Sequence, residues 1–228
     1  MRVVIMGGTA GIGLATARLL TDEGAEVIVT GRDPEKLAEA KSGVAAAEQV
    51  DGTSQEEVAA FFGRIGEFDH LVLAFSPGAV GIGPLADTDL ADVRAAFDGK
   101  LFPYLFAVQR AGVTGSVTMV SASSARAGLP GTFALAAVNG AIERIVSPLA
   151  AELAPVRVNA VSPGVVDTAW WSFLPEEQRQ AQFASASGMI PAGRVGRAQD
   201  VAQAISYLIG ASYVTGSILP VDGGFTVA

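Results

Sequence analysis

The residues Gly7-Gly8-Thr9-Ala10-Gly11-Ile12-Gly13 have the composition and spacing needed to hold a phosphate. They follow directly on the apolar run Val3-Val4-Ile5-Met6 and lead into a helical pattern. In Gly7-x-x-x-Gly11-x-Gly13, Gly7 allows a tight turn and Gly11 lets the backbone approach a pyrophosphate. Gly13 lets the helix pack close to the strand. Free N–H groups at the helix start then face the anion, and Thr9, Ala10 and Ile12 complete the contact with a dinucleotide. At the end of the second strand, where an acidic residue would bond the ribose diol of NAD, the chain has Gly31-Arg32. Glycine leaves room for a 2′-phosphate and a guanidinium binds it in a bidentate way. The pattern implies NADP(H).

Lys100 is the second chemical feature, set within Phe97-Asp98-Gly99-Lys100-Leu101-Phe102. Burying it unpaired is costly. One reading sends it into a cleft as a proton donor or electrostatic clamp, its pKa lowered by burial. The other leaves it snorkelling at the surface or paired with Asp98. Tyr104 lies one turn further on the same face, and packing against another copy of the chain is preferred there to a catalytic phenol. His70, the one histidine, reads as structural.

These residues sit on a regular alternation of strands and helices. Strands are expected at Val3–Met6, Glu26–Thr30, Ala46–Val50, His70–Ala74, Ser116–Ser121, Arg157–Ser162 and Ser217–Pro220. Helices are expected near 11–23, 34–41, 54–65, 89–111, 132–153, 175–187 and 198–210. Short β-branched runs between Ala-rich amphipathic stretches predict an α/β fold. Its form is a single doubly wound Rossmann domain over 1–228, with a parallel seven-stranded sheet and helices on both faces. Residues 168–197, with two Trp and a Gly/Pro exit, read as a substrate lid.

Composition agrees. Of 228 residues 50% are hydrophobic, and mean hydropathy is +0.42, which suits a sheet covered on both sides. A net charge of −8 argues against nucleic acid as partner. The absence of cysteine removes disulfides and thiolate chemistry, and with a single histidine no metal site is expected. No apolar stretch approaches the ~18 residues of a membrane span, and a cytoplasmic protein is expected.

Together these features identify the chain as similar to the short-chain dehydrogenase/reductase family along almost its whole length. Gly7-x-x-x-Gly11-x-Gly13 resembles that family's phosphate loop, with Met6 in place of the usual Thr. Val50-Asp51-Gly52 resembles its third-strand end, where the Asp contacts adenine. Asn159-Ala160-Val161-Ser162-Pro163-Gly164-Val165-Val166-Asp167-Thr168 resembles the sixth-strand motif, with Thr168 placed to hold the nicotinamide carboxamide. Tyr213 to Gly224 resembles the family's tail. The resemblance implies cofactor contacts from Ala74, Phe75 and Ser76 and from Pro163, Gly164 and Val166. It also implies a homodimer or homotetramer.

The resemblance breaks at the catalytic positions. The family uses a Tyr four residues before a Lys, a Ser one strand earlier and an Asn on the preceding helix. Here the Tyr position is Leu135, the Lys position Asn139, the Ser position Ala122 and the helix Asn position Lys100. Tyr104, Tyr207 and Tyr213 are followed four residues on by Val108, Ala211 and Ser217, so no displaced Tyr–Lys pair exists. The candidate catalytic residues are therefore Ser121, Ser123, Lys100 and Asn139. Asn139 orients a carbonyl but transfers no proton, and Asp167 is read as a helix cap. Trp170, Trp171 and Phe173 offer an apolar wall for a hydrophobic or conjugated carbonyl substrate.

The leading expectation is an NADP(H)-dependent oxidoreductase with a non-standard proton source. A cofactor-binding protein without redox turnover is the first alternative. A lyase, isomerase or cyclase reusing the cleft is the second.

Overall fold

The computed structural model describes residues 1–227. Its elements in chain order are β1 (Arg2–Met6), α1 (Gly11–Asp22), β2 (Glu26–Gly31), α2 (Pro34–Lys41), β3 (Ala46–Gln49), α3 (Gln55–Ile65) and β4 (Glu67–Leu73). There follow α4 (Leu90–Ala96), α5 (Phe102–Arg110), β5 (Gly112–Val120), α6 (Phe133–Glu152) and β6 (Arg157–Pro163). The chain continues through β7 (Val166–Asp167), α7 (Glu176–Met189), β8 (Gly196–Arg197), α8 (Ala198–Gly210) and β9 (Ile218–Val221).

Seven strands form one parallel sheet in the order β3-β2-β1-β4-β5-β6-β9. The period-2 alternation of strand side chains divides the core in two. Val4, Met6, Leu71, Leu73, Val117 and Met119 point to one face and pack with Phe61 and Phe62 of α3, Tyr104 of α5 and Ile142 of α6. Val3, Ile5, Val27, Val29, Val72 and Val161 point to the other, against Ala17 and Leu20 of α1 and Val201, Ile205 and Leu208 of α8. Both faces are covered, so β1 needs apolar residues at consecutive positions: Val3 to Met6 are all fully buried. The fold class expected from the sequence is the one observed.

Two departures bear on the site. The helix expected over 89–111 is interrupted by a π turn at Phe97–Leu101, where the Phe102 amide donates to the Phe97 carbonyl five residues back. Pro103 supplies the cause, because its ring clashes with the carbonyl four residues earlier, that of Gly99. One extra residue advances the helix surface by roughly 100°, and Lys100 and Leu101 are turned inward. Gly99 is required beside it, since a Cβ there would come within 2.6 Å of Pro77.

The second departure is α6, whose length and hydropathy match a membrane-spanning segment, against the sequence expectation. Its Asn139 and Glu143 are bonded to the protein body, which marks α6 as a core helix. Strand ends shift by one to four residues, β4 and β5 starting earlier than the pattern predicts.

Candidate active site

The strand ends open into a cavity of about 600 Å³ whose wall is largely apolar. Gly7, Thr9, Ala10, Gly11 and Ile12 line one end. Gly7 has φ 82° and its Cα faces the chain at Ala74–Phe75, where a Cβ would lie 2.7 Å from the Phe75 nitrogen. Gly13 packs on the loop itself: a Cβ would lie 2.1 Å from the Gly7 carbonyl. The α1 N-cap, Ala10, is extended and no side chain caps the helix, so its first N–H groups are left for an anion. These residues fit the pyrophosphate of a dinucleotide.

Ala74, Phe75 and Ser76 line the cavity, as do Pro163, Gly164, Val166 and Thr168. Thr168 packs against Gly11, and its hydroxyl accepts from the Trp170 amide at 3.4 Å. The cap expected of Asp167 thus belongs to Thr168, because Asp167 is taken up in the β7 pairing.

Arg32, Asp51 and Gly52 lie outside the cavity lining. Arg32 is exposed. Burial pushes the Asp51 pKa up, but hydrogen bonds from Thr53 and the Arg32 charge bring it below the ordinary value. The space beside Gly31 is not open as expected: Thr9 fills it, 2.7 Å from where a Cβ would stand. The Phe75 ring reaches from Tyr104, at 5.0 Å between centroids, to Gly52, where a Cβ would touch its tip at 3.1 Å.

Lys100 is neither a surface lysine nor a partner of Asp98. It is 7% exposed, lines the cavity, and donates from Nζ to Asn139 Oδ1 at 2.7 Å. Desolvation lowers its pKa to about 7. Tyr104 is fully buried rather than set at an interface, and its hydroxyl donates to the Phe75 carbonyl at 3.0 Å. Burial raises its pKa well above the ordinary value, which unsuits it to proton exchange.

The serines separate. Ser121 lies at the cavity wall, but its hydroxyl meets Glu143 Oε1 at 2.9 Å and the Val161 carbonyl at 3.1 Å. It serves the strand ends, because the period-2 pattern turns it towards α6. Ser123 lines the cavity. Ser124, not singled out by spacing, also lines it and meets Asn139 Nδ2 at 3.2 Å. Glu143 was equally hidden: its carboxylate takes Ser121, Ser162 at 2.6 Å and Arg126 at 3.5 Å. Its only signal is the i, i+4 spacing from Asn139, which a solvent-facing glutamate would share.

Trp170, Trp171 and Phe173 occupy a 3-10 turn at Ala169–Phe173. They line the cavity, and they pack together, with Trp171 also 5.7 Å from Phe183 of α7. Segment 168–195 leaves and rejoins the body where β7 pairs with β8. His70 lies outside the cavity lining, its Nδ1 2.9 Å from the Ser116 hydroxyl.

Residues 7–226 match the family described as enoyl-(acyl carrier protein) reductase. The chain is 34% identical over 241 residues to cis-4-hydroxycyclohexanecarboxylate dehydrogenase of Sinomonas cyclohexanicum, covering 98% of this chain and 95% of that one. It is 29% identical over 243 residues to 1-cyclohexenylcarbonyl-CoA reductase of Streptomyces collinus, covering 98% and 86%. Among solved structures, a small-chain dehydrogenase in complex with NADPH superposes with a TM-score of 0.86 at 31% identity, covering 100% of this chain and 99% of that one.

Proposed function

We propose a reaction on the premise that the chain belongs to the short-chain dehydrogenase/reductase family and is an oxidoreductase of that type. The reaction is reduction, with NADPH, of a carbonyl compound carrying an apolar or conjugated body. The substrate is a free small molecule, and residues 168–197 act as the lid over it. NADPH supplies the hydride when bound. The phosphate loop and Thr168 hold it, with Ala74, Phe75, Ser76, Pro163, Gly164 and Val166 around it. Arg32 reads the 2′-phosphate, and Asp51 and Gly52 sit at the adenine end.

One observation carries the reading. Lys100 and Asn139 bond at 2.7 Å, and by the sequence resemblance they stand at the family's helix Asn and relay Lys positions with the residue types exchanged. An ammonium thus still reaches the cleft, from the opposite wall. A pKa near 7 suits it to give a proton at neutral pH. The side chain holds and orients the carbonyl oxygen, then protonates it as negative charge develops. A retired site has no use for a buried ammonium without a carboxylate partner, which costs free energy in every folded molecule. The apolar cavity and the Trp170–Trp171–Phe173 wall fit a ring or chain without charge. Relatives named for a hydroxycyclohexanecarboxylate and a cyclohexenylcarbonyl-CoA support the six-membered alicyclic body alone.

We read the assembly as a closed homodimer or homotetramer in the cytoplasm. Leu90 and Phe102, 66% and 54% exposed, offer apolar surface for a second copy. The test is NADPH oxidation against a panel of cyclohexenones, open-chain enones, quinones and simple ketones. Oxidation with a conjugated or alicyclic member supports the reading. Tight NADPH binding without oxidation by any member would remove it in favour of a non-redox role.

A further inference from the structure

We propose that Ser124 donates the hydrogen bond that holds the substrate's carbonyl oxygen beside Lys100. The inference deepens the reductase reading and rests on it for the ligand class, an uncharged ketone or enone.

The neighbours of the Asn139 amide decide which way it faces. Nδ2 lies 2.9 Å from the Leu135 carbonyl, which only accepts. At the other end stands Lys100 Nζ, which as an ammonium only donates. Both neighbours fix the same orientation, with oxygen towards Lys100 and NH₂ towards Leu135. The amide's second hydrogen then meets Ser124 Oγ at 3.2 Å. Ser124 is therefore the acceptor in that bond, and its own hydrogen is committed to none of the described residues. Lys100 likewise spends one of its ammonium hydrogens on Asn139 and keeps the others.

Two donors with unspent hydrogens thus border one apolar cavity, joined through a single amide. A carbonyl oxygen, with two lone pairs, complements that pair. Ser123 also lines the cavity, but only Ser124 is tied by hydrogen bond to the Asn139 amide that holds Lys100. Ser121 is occupied at the strand ends by Glu143 and Val161, and position 122 carries a methyl group. Asn139 acts through its neighbours, as a positioning residue for both donors.

The test pairs kinetics with a spectroscopic measurement that needs no turnover. Cyclohexenone isotopically labelled at its carbonyl is bound to the NADP⁺ complex, and its carbonyl stretch is recorded by infrared difference spectroscopy. The native protein is expected to lower the stretch relative to water, and Ser124→Ala to lose part of that shift. In Ser124→Ala, kcat/KM falls on the order of tenfold to a hundredfold, and the pH dependence set by Lys100 is retained. Ser124→Thr, which keeps a hydroxyl, recovers most of both signals and controls for misfolding. No Ser124-dependent shift, whether from unaltered binding or from none, overturns the proposal. Turnover without Ser124 dependence leaves the reductase reading standing alone. A Ser124-dependent shift in a protein that never oxidises NADPH keeps the Ser124 site and removes the reductase.

Discussion

Lys100 Nζ donates to Asn139 Oδ1 across 2.7 Å, joining the π turn between α4 and α5 to the middle of α6. By the sequence resemblance, the family has an Asn and a Lys at these positions in the opposite arrangement. No ion pair to Lys100 forms among the described residues, so its charge is supported by one amide oxygen and by what enters the cavity.

Lys100→Met tests the proton source. If the ammonium gives the proton, kcat/KM falls by about 10²–10⁴-fold. NADPH affinity, measured by fluorescence titration, stays within about twofold by the same reasoning on separate binding and chemical steps. Turnover equal to native would remove Lys100 from the chemistry.

The pH dependence follows from the same side chain. Its pKa is about 7 in the folded protein against an ordinary value of 10.5. Between these values the unfolded chain holds a proton that the native chain has lost. Stability therefore rises with pH across that window, by up to about 1.4 kcal/mol per unit. Below pH 7 both states are protonated and the penalty is constant. Denaturant unfolding from neutral to mildly alkaline pH should show this slope, and Lys100→Met should flatten it. If the acid form is the donor, kcat/KM of the native enzyme falls as pH rises through about 7.

Restoring the family's residue types probes the exchange directly. Leu135→Tyr with Asn139→Lys sets a second ammonium where Lys100 now finds an amide oxygen. Two like charges in a buried site should cost several kcal/mol and lower the melting temperature sharply. Adding Lys100→Asn relieves the repulsion and completes the ordinary relay. The triple variant should melt above the double one and reduce simple ketones; equal melting of the two would show that the ammoniums do not face each other.

The sheet was legible in the sequence because each strand is an apolar run at the right spacing, Val3 to Met6 most plainly. The glycine loop was legible because Gly7, Gly11 and Gly13 answer local backbone demands. The burial of Lys100 was not, since it depends on a π turn that the clash between Pro103 and the Gly99 carbonyl brings about. Tyr104 was misplaced for the same reason: one inserted residue turns the helix face. Ser124 and Glu143 gain their importance only when β5 and α6 come together, and polar residues at strand ends and on helices usually face water.

Arg32→Ala addresses the cofactor. Arg32 is exposed and beside Asp51, so its removal should leave the fold intact. Loss of a charge-assisted contact to phosphate corresponds to about 1.5–3 kcal/mol, or roughly ten- to a hundredfold weaker NADPH binding. NADH binding should be almost unchanged. Equal weakening of both cofactors would place Arg32 away from the 2′-phosphate.

Glu143 governs the strand ends that carry the site. One of its oxygens takes the hydroxyls of Ser121, just past the end of β5, and Ser162 on β6, and the other meets Arg126. Arg126 is 37% exposed, so that arm is screened and contributes little. The serine arms are buried. Glu143→Ala leaves the Ser162 hydroxyl without its acceptor and Ser121 with the Val161 carbonyl alone, and it opens a gap against the ends of β5 and β6, costing about 2–4 kcal/mol. For a domain of this size that is a fall of roughly 5–15 °C in Tm. Glu143→Gln keeps an oxygen for the serines and should lose less than half as much. A Tm for Glu143→Ala within a degree or so of native would show that the cluster does not hold β5 to β6. Lower kcat/KM with unchanged NADPH affinity in Glu143→Gln would show that the carboxylate also sets the register of Ser123 and Ser124, which follow Ser121 after Ala122.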